Sequence, residues 1–188
     1  MKTGFCITGS FCTHKASLEI MRDMARENEI YPVISEICTV TDTRFGKAAE
    51  LLSSVKNIAN RDPIITVREA EALGPALITD LLFICPCTGN TLAKIARGIS
   101  DTAVTMAAKA TFRRDGNILI ALNSNDALGE NLKNIGHLLN RKGVFFVPMY
   151  QDDPVKKPHS LMTHLPSVPR AIEAAKASKQ LYPLFVGR

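Results

Sequence analysis

The chain lacks the features of a membrane or secreted protein. No apolar run approaches the roughly 18 residues that a membrane span needs, and Asp80 interrupts the best candidate. The apolar stretch near the first residue is too short for a signal peptide. The sequence therefore predicts a cytoplasmic protein with no membrane contact.

The sequence also indicates neither a disulfide framework nor a metal site. An odd number of cysteines without a signal peptide argues against paired disulfides. The one close pair, Cys85 and Cys87, has no second pair at zinc-binding distance along the chain. The five cysteines are Cys6, Cys12, Cys38, Cys85 and Cys87.

The chain has little excess of charge of one sign. Lysine and arginine number 23 against 18 acidic residues, a net charge of +5, and the cations are scattered rather than arranged in a stripe. Nucleic-acid binding is therefore not expected. With 188 residues, 46% of them apolar, the chain predicts a single domain over residues 1–188.

Two nucleotide-binding motifs are missing. No G-x-G-x-x-G is present, and Gly4 and Gly9 have P-loop spacing but are followed by Ser10 instead of lysine. Neither ATP hydrolysis nor NAD binding by this chain is therefore supported.

What is present is a repeated alternation of strand and helix. Apolar runs predict strands over 4–8, 30–37, 81–85, 118–122 and 144–147, with a shorter candidate at 64–67. Helical spacing predicts helices between them, including 46–59, 69–73 and 103–112. Residues 149–167 form a predicted proline-rich loop, and 168–188 a C-terminal helix and tail. Such a chain predicts an α/β fold with a parallel sheet covered on both faces.

Ligands of such sheets lie beyond the carboxyl ends of the strands, so the residues after each strand are the functional candidates. Gly9 and Ser10 follow the first strand directly before a helix, where hydroxyls and free N–H groups favour a phosphate. An ordinary strand-to-helix turn is the alternative. After the strand at 81–85, Thr88 and Thr91 offer hydroxyls, and Asn90 offers an amide that either binds a ligand or caps the next helix.

These residues carry a family resemblance. Gly-Ser after the first strand, together with Pro-Cys-Thr-Gly-Asn-Thr-Leu-Ala-Lys-Ile-Ala-x-Gly-Ile-x-Asp over 86–101, resembles the homo-oligomeric flavin-containing cysteine decarboxylase superfamily. The counterpart loop of that family reads Pro-Ala-Ser-Ala-Asn-Thr. The resemblance implies a three-layer, Rossmann-like or flavodoxin-like doubly wound fold and a homo-oligomer, trimeric or larger. It also implies FMN, bound by Gly9, Ser10, Thr39, Thr41, Thr88, Asn90, Thr91 and Asp101, with Thr39 and Thr41 as alternatives.

Within this superfamily, the chain more closely resembles the B subunits of dipicolinate synthases. The resemblance spans residues 4–158 and includes Thr-Val-Thr-Asp-Thr-Arg-Phe-Gly at 39–46 and Gln-Asp-Asp-Pro-x-Lys-Lys-Pro at 151–158. It implies an oxidoreductase subunit that works with the A subunit of dipicolinate synthase, which carries the NAD(P). The substrate would be a small dicarboxylate, and the setting the mother cell of a sporulating bacterium.

Four residues are candidates for contacting such a substrate. Arg44, Lys156 and Lys157 can pair with carboxylates, and Asn123 matches a segment that contacts substrate in the superfamily. The alternatives are a surface salt bridge for Arg44 and a simple turn for residues 152–154.

No catalytic residue is identified. The superfamily decarboxylases use a histidine in the first half of the chain, but no histidine lies between Lys15 and Gly136. His14, His159 and His164 are candidate contacts, and His137 is expected to be solvated. Two other functions stay open: a stand-alone flavin decarboxylase or prenyltransferase-like enzyme, and a non-catalytic assembly or product-binding subunit.

Overall fold

A computed structural model of the chain describes residues 1–73 and 79–187. Its main sheet is entirely parallel and has the strand order β2-β1-β3-β4-β5. Because the chain leaves β1 for one edge and then returns to β3 on the other side, the order reverses between β1 and β3. The predicted doubly wound parallel sheet is confirmed. Its strands are β1 (Lys2–Ile7), β2 (Glu29–Ile34), β3 (Leu81–Cys87), β4 (Asn117–Leu122) and β5 (Val144–Phe146).

Helices cover both faces of the sheet. All seven residues of β3 are buried, as expected for a strand with helices above and below it. Alternate side chains point to opposite faces, so Leu82 and Ile84 belong to one apolar cluster and Phe83 to the other. No helix among residues 1–73 and 79–187 could span a membrane. The helices are α1 (His14–Met24), α2 (Glu36–Val40), α3 (Ala48–Ala59), α4 (Val67–Glu71), α5 (Gly89–Ala96), α6 (Ala103–Phe112), α7 (Leu132–Leu139) and α8 (Val168–Lys176).

Two boundaries differ from the sequence prediction because a polar residue starts a helix early. The second strand ends at Ile34 rather than at residue 37, and α2 begins directly after Ser35. The predicted strand at 64–67 is reduced to one bridge, between Ile64 and Val33. Thr66 instead caps α4, since its hydroxyl accepts from the Glu69 N–H at 3.1 Å while the Glu69 carboxylate accepts from the Thr66 N–H at 3.0 Å.

The prediction of a loop over residues 149–167 is wrong for most of that segment. Met149–Asp153 (β6) and Lys157–Thr163 (β7) form an antiparallel hairpin. The Asp153 carboxylate accepts hydrogen bonds from the N–H groups of Val155 and Lys156, at 3.1 and 2.9 Å, and closes the turn. The turn expected at residues 152–154 is therefore present, but it joins two strands.

Candidate functional site

The carboxyl ends of β1, β2 and β3 surround a cavity of about 590 Å³ at the point where the strand order reverses. We call it the strand-end cavity. This is where an open α/β sheet binds its ligand. Its walls come from the segments that follow the three strands and from α5: Gly9, Phe11, Ser35, Glu36, Ile37, Val40, Thr88, Asn90, Thr91, Lys94 and Thr102.

One buried hydroxyl holds two of these segments together. Thr8, at the end of β1, donates to the carbonyl of Pro86 at 2.8 Å and accepts from the N–H of Thr88 at 3.0 Å. Thr8 is fully buried, so water does not compete for these bonds. The loop after β3 is thereby fixed against the loop after β1.

Thr88 is the cap of α5, and Asn90 is not. The Thr88 hydroxyl accepts from the N–H of Thr91 at 3.2 Å and donates to the Thr91 hydroxyl at 3.0 Å. The side chain of Asn90 is exposed and has no hydrogen-bond partner within the described chain. Asn90 lines the cavity, and its amide therefore keeps its full bonding capacity.

Ser35 is a cavity residue that the sequence reasoning missed. Its side chain makes no hydrogen bond to the residues described, although only 7% of the residue is exposed. A serine followed by an acidic residue is a common helix start, but the apolar run to residue 37 predicts a strand across this position. The predicted FMN contacts after the second strand are Thr39 and Thr41. Neither is among the residues that line the strand-end cavity, and the Thr39 hydroxyl donates to the carbonyl of Glu36 at 2.7 Å within α2.

Two further predicted contacts lie at the margin of the cavity. Ser10 sits between Gly9 and Phe11, and its hydroxyl has no partner in the described part of the chain. Asp101 is exposed and holds the Lys94 ammonium through both carboxylate oxygens, at 2.9 and 2.8 Å. This ion pair lowers the pKa of Asp101. Asp101 therefore orients a lysine that lines the cavity rather than facing it directly.

The four predicted substrate contacts are dispersed. Asn123 is buried, and its side-chain oxygen accepts from the N–H of Thr163 at 3.0 Å, which attaches the hairpin to the end of β4. Lys156 and Lys157 lie at the exposed end of the hairpin. Lys157 pairs with Asp152 at 2.6 Å, and Arg44 lies 4.8 Å above the ring of Phe45. None of the four lines the strand-end cavity.

A second cavity, of about 240 Å³, lies between α1, α3 and the segment that joins α2 to α3. We call it the aromatic pocket, because Phe11, His14 and Phe45 line it. Phe11 lines both cavities and forms their shared wall. Of the other histidines, His164 bonds the Ser167 hydroxyl at 2.7 Å, and His137 and His159 are exposed.

A hydrogen bond to the residue that follows β1 fixes the ring of His14. Its Nε2 lies 2.8 Å from the carbonyl oxygen of Thr8, which can only accept, so Nε2 carries the proton and donates it. Burial lowers the pKa of His14, which keeps the ring neutral at neutral pH. The nearby Cys38 thiol is also neutral, since burial raises its pKa to about 12.

The donor groups of the strand-end cavity fit a phosphate. The hydroxyls of Ser10 and Ser35 have no partner within the described chain, and the first turn of α5 adds backbone N–H groups. Lys94 also lines the cavity, with its ammonium paired to Asp101. FMN carries such a phosphate, so these residues fit its terminal group. Across residues 1–73 and 79–187, no three His, Cys, Asp or Glu side chains are grouped as metal ligands.

A doubly wound sheet with a cavity at its reversal point is typical of α/β proteins that bind nucleotide cofactors. The chain belongs to the Flavoprotein family, which it matches over residues 1–173. It is 38% identical to the B subunit of dipicolinate synthase from Bacillus subtilis over 98% of this chain and 93% of that one. The predicted resemblance is confirmed.

Solved structures give the same result. The crystal structure of the dipicolinate synthase B subunit from Bacillus halodurans superposes with a TM-score of 0.91 at 34% identity, covering 100% of this chain and 96% of that chain. The FMN-dependent cysteine decarboxylase SpaF superposes with a TM-score of 0.67 at 23% identity, covering 93% and 97%. The second similarity shows the shared fold alone.

Proposed function

We propose that the chain is an FMN-binding B subunit of a dipicolinate synthase. Together with the A subunit of that enzyme, it takes part in the NAD(P)-linked oxidation of dihydrodipicolinate, or its hydrated precursor, to dipicolinate in the mother cell of a sporulating bacterium. The 38% identity over nearly the whole chain to a dipicolinate synthase B subunit supports the enzyme. The family supports a flavin.

The observation that carries the proposal is the set of unpartnered polar groups at the strand-end cavity. Ser10 and Ser35 have hydroxyls without a partner in the described residues, and Asn90 has an unpartnered amide. Ser10, Ser35 and the α5 N-terminus hold the FMN phosphate. Asn90 donates to or accepts from the polar edge of the flavin or a substrate carboxylate. When bound, the flavin supplies two-electron redox chemistry.

The missing glycine fingerprint explains why a partner is needed. This chain has no G-x-G-x-x-G, so the nicotinamide cofactor is assigned to the A subunit. The B subunit is proposed to form a trimer or a larger homo-oligomer, as its superfamily resemblance implies. Light scattering of the purified chain gives its oligomeric mass directly.

FMN binding is tested by fluorescence titration. We expect saturable quenching of flavin emission by the full chain, and a Kd raised about tenfold by Ser35→Ala and by Ser10→Ala, since each removes a bond to a charged group. Ser53→Ala, an exposed serine of α3, is the matched control and leaves the Kd unchanged. No quenching at any FMN concentration rejects the flavin assignment.

The enzyme assignment is tested with the A subunit present. We expect dipicolinate, followed by its ultraviolet absorbance, to form faster when this chain is added to the A subunit than when the A subunit acts alone. Repeating the assay with FMN-free and FMN-loaded preparations of this chain then shows whether the flavin is needed for that stimulation. Turnover by this chain without a partner would instead support a stand-alone flavin enzyme.

A further inference from the structure

The aromatic pocket has the composition of a site for a planar acid. Phe11 and His14 stand with their ring centroids 5.3 Å apart and their planes tilted by 57°, and Phe45 adds a third ring. Leu18 and Leu51 complete the apolar wall. A planar six-membered ring gains both apolar burial and edge-to-face contact in such surroundings.

Two lysines without acidic partners line the same pocket. Lys15 lies in the first turn of α1, and Lys47 directly precedes α3. Neither ammonium group makes an ion pair with the residues that the structure describes. The one acidic residue of the lining is Glu50, which lies in the first turn of α3 and accepts from the Lys47 backbone N–H at 3.4 Å. The lysines therefore leave the pocket with an excess of positive charge.

A hydrogen-bond acceptor completes the set. Because Nε2 of His14 donates to the Thr8 carbonyl, Nδ1 is the acceptor of the neutral ring. A ring N–H or a hydroxyl of a bound ligand can donate to this atom. Thr41 adds a hydroxyl that either donates or accepts.

We propose that the aromatic pocket binds dipicolinate, the planar product, with one carboxylate facing Lys15 and the other facing Lys47. The ring lies against Phe11 and Phe45. This inference rests on the proposed function for the identity of the ligand, but its geometry is independent of FMN. Since Phe11 is also a wall of the strand-end cavity, the ligand lies beside the flavin instead of replacing it.

Calorimetric titration of the full chain with dipicolinate tests the pocket. We expect saturable binding that weakens about fivefold or more in Lys15→Ala and in Lys47→Ala, since each loses one charge-assisted contact. Lys56→Ala is the matched control, because Lys56 lies on α3 and pairs with Asp62 at 2.6 Å without lining the pocket. Its Kd stays at the value of the unmodified chain.

Two related acids test the ligand class. Picolinate has the ring but one carboxylate, and glutarate has two carboxylates but no ring. Each should bind at least about tenfold more weakly than dipicolinate, because it loses either a charge pair or the ring contacts. Equal binding of glutarate would reject the aromatic wall as a determinant.

FMN titrations of the same variants separate this inference from the proposed function. Lys15→Ala and Lys47→Ala should bind FMN as the unmodified chain does, which also shows that they are folded. If FMN binds and dipicolinate does not, or if Ser35→Ala weakens dipicolinate binding while both lysine variants leave it unchanged, the pocket assignment is wrong. If dipicolinate binding needs both lysines and FMN does not bind, the pocket stands and the flavin assignment fails.

Discussion

Thr8 and Thr88 are 80 positions apart, yet the hydroxyl of the first accepts the N–H of the second at 3.0 Å. The same hydroxyl donates to the carbonyl of Pro86, and the carbonyl of Thr8 accepts from Ser10 and His14. One buried residue at the end of β1 therefore positions the loop after β3, the loop after β1 and the His14 ring. The strand-end cavity and the aromatic pocket share this support.

Thr8→Val should lower the free energy of unfolding by about 1–3 kcal/mol, because it leaves the buried Pro86 carbonyl and the partly buried Thr88 N–H without this partner. We also expect weaker FMN binding, since Thr88 caps the helix at the cavity. Urea denaturation and flavin titration measure the two effects. Thr8→Ser keeps the hydroxyl and should retain most of both. If valine is tolerated as well as serine, the bond has no structural role.

Gly89→Ala should destabilise the protein although alanine is the better helix former. A Cβ at Gly89, the first residue of α5, would lie 2.5 Å from the Ser124 hydroxyl, 2.6 Å from the Asn131 amide and 2.7 Å from the Asp126 carboxylate. Relieving this overlap should cost about 1–3 kcal/mol and shift the start of α5 away from the cavity.

Gly136→Ala is the matched control for that prediction. Gly136 lies within α7, and a Cβ there meets nothing within 4 Å. Alanine should therefore stabilise the chain by up to about 1 kcal/mol. Thermal or urea unfolding of both variants checks the opposite signs. Destabilisation by both would show that the two helices respond to alanine in general and not to the crowding at Gly89.

Much of the fold was predictable because it depends on patterns local to each segment. Ala103–Phe112 forms the helix that was predicted for it, and the buried run that starts at Leu81 forms the central strand. The prediction errors occur where a single side chain determines the local backbone conformation. Ser35 ends β2, and Asp153 closes a hairpin in a segment whose prolines indicated a loop.

The candidate site could likewise be predicted only in part from the sequence. The strand-order rule located Gly9, Thr88, Asn90 and Thr91, since it needs only the ends of strands. The aromatic pocket was not predicted as a unit, because Phe11, His14 and Phe45 meet only through the packing of α1 against α3. Nothing in the sequence of α1 or of α3 indicates that these two helices pack against each other.

Folding stability should fall as the pH falls through about 6.5, the ordinary pKa of histidine. Burial lowers the pKa of His14 in the folded chain, so the unfolded chain binds its proton more readily. The stability that this group gives is therefore present above about pH 6.5 and is lost as the pH drops toward the lowered pKa. His14→Gln should reduce this slope in urea unfolding between about pH 5 and 8, whereas His137→Gln, at an exposed position of α7, should not. Equal slopes in all three proteins would mean that other groups cause the dependence.

Asn123→Ala should act on the hairpin and not on substrate binding. Only 8% of Asn123 is exposed, and its side-chain oxygen accepts the N–H of Thr163 at 3.0 Å, so truncation leaves that N–H buried and unpaired. We expect a loss of about 1–3 kcal/mol in unfolding free energy and faster amide exchange at Thr163. Asn125→Ala, at an exposed neighbouring position, is the control and should change neither.

The alternative for Asn123 is the substrate contact that its family resemblance suggests. A contact role predicts the reverse pattern in hydrogen exchange and calorimetry: unchanged exchange at Thr163 together with a raised Kd for dipicolinate. Because Asn123 lines neither the strand-end cavity nor the aromatic pocket, we expect dipicolinate affinity to survive the substitution. Substitution of Lys15 or Lys47 by alanine should instead weaken dipicolinate binding. One series of titrations with the three variants therefore distinguishes the two roles.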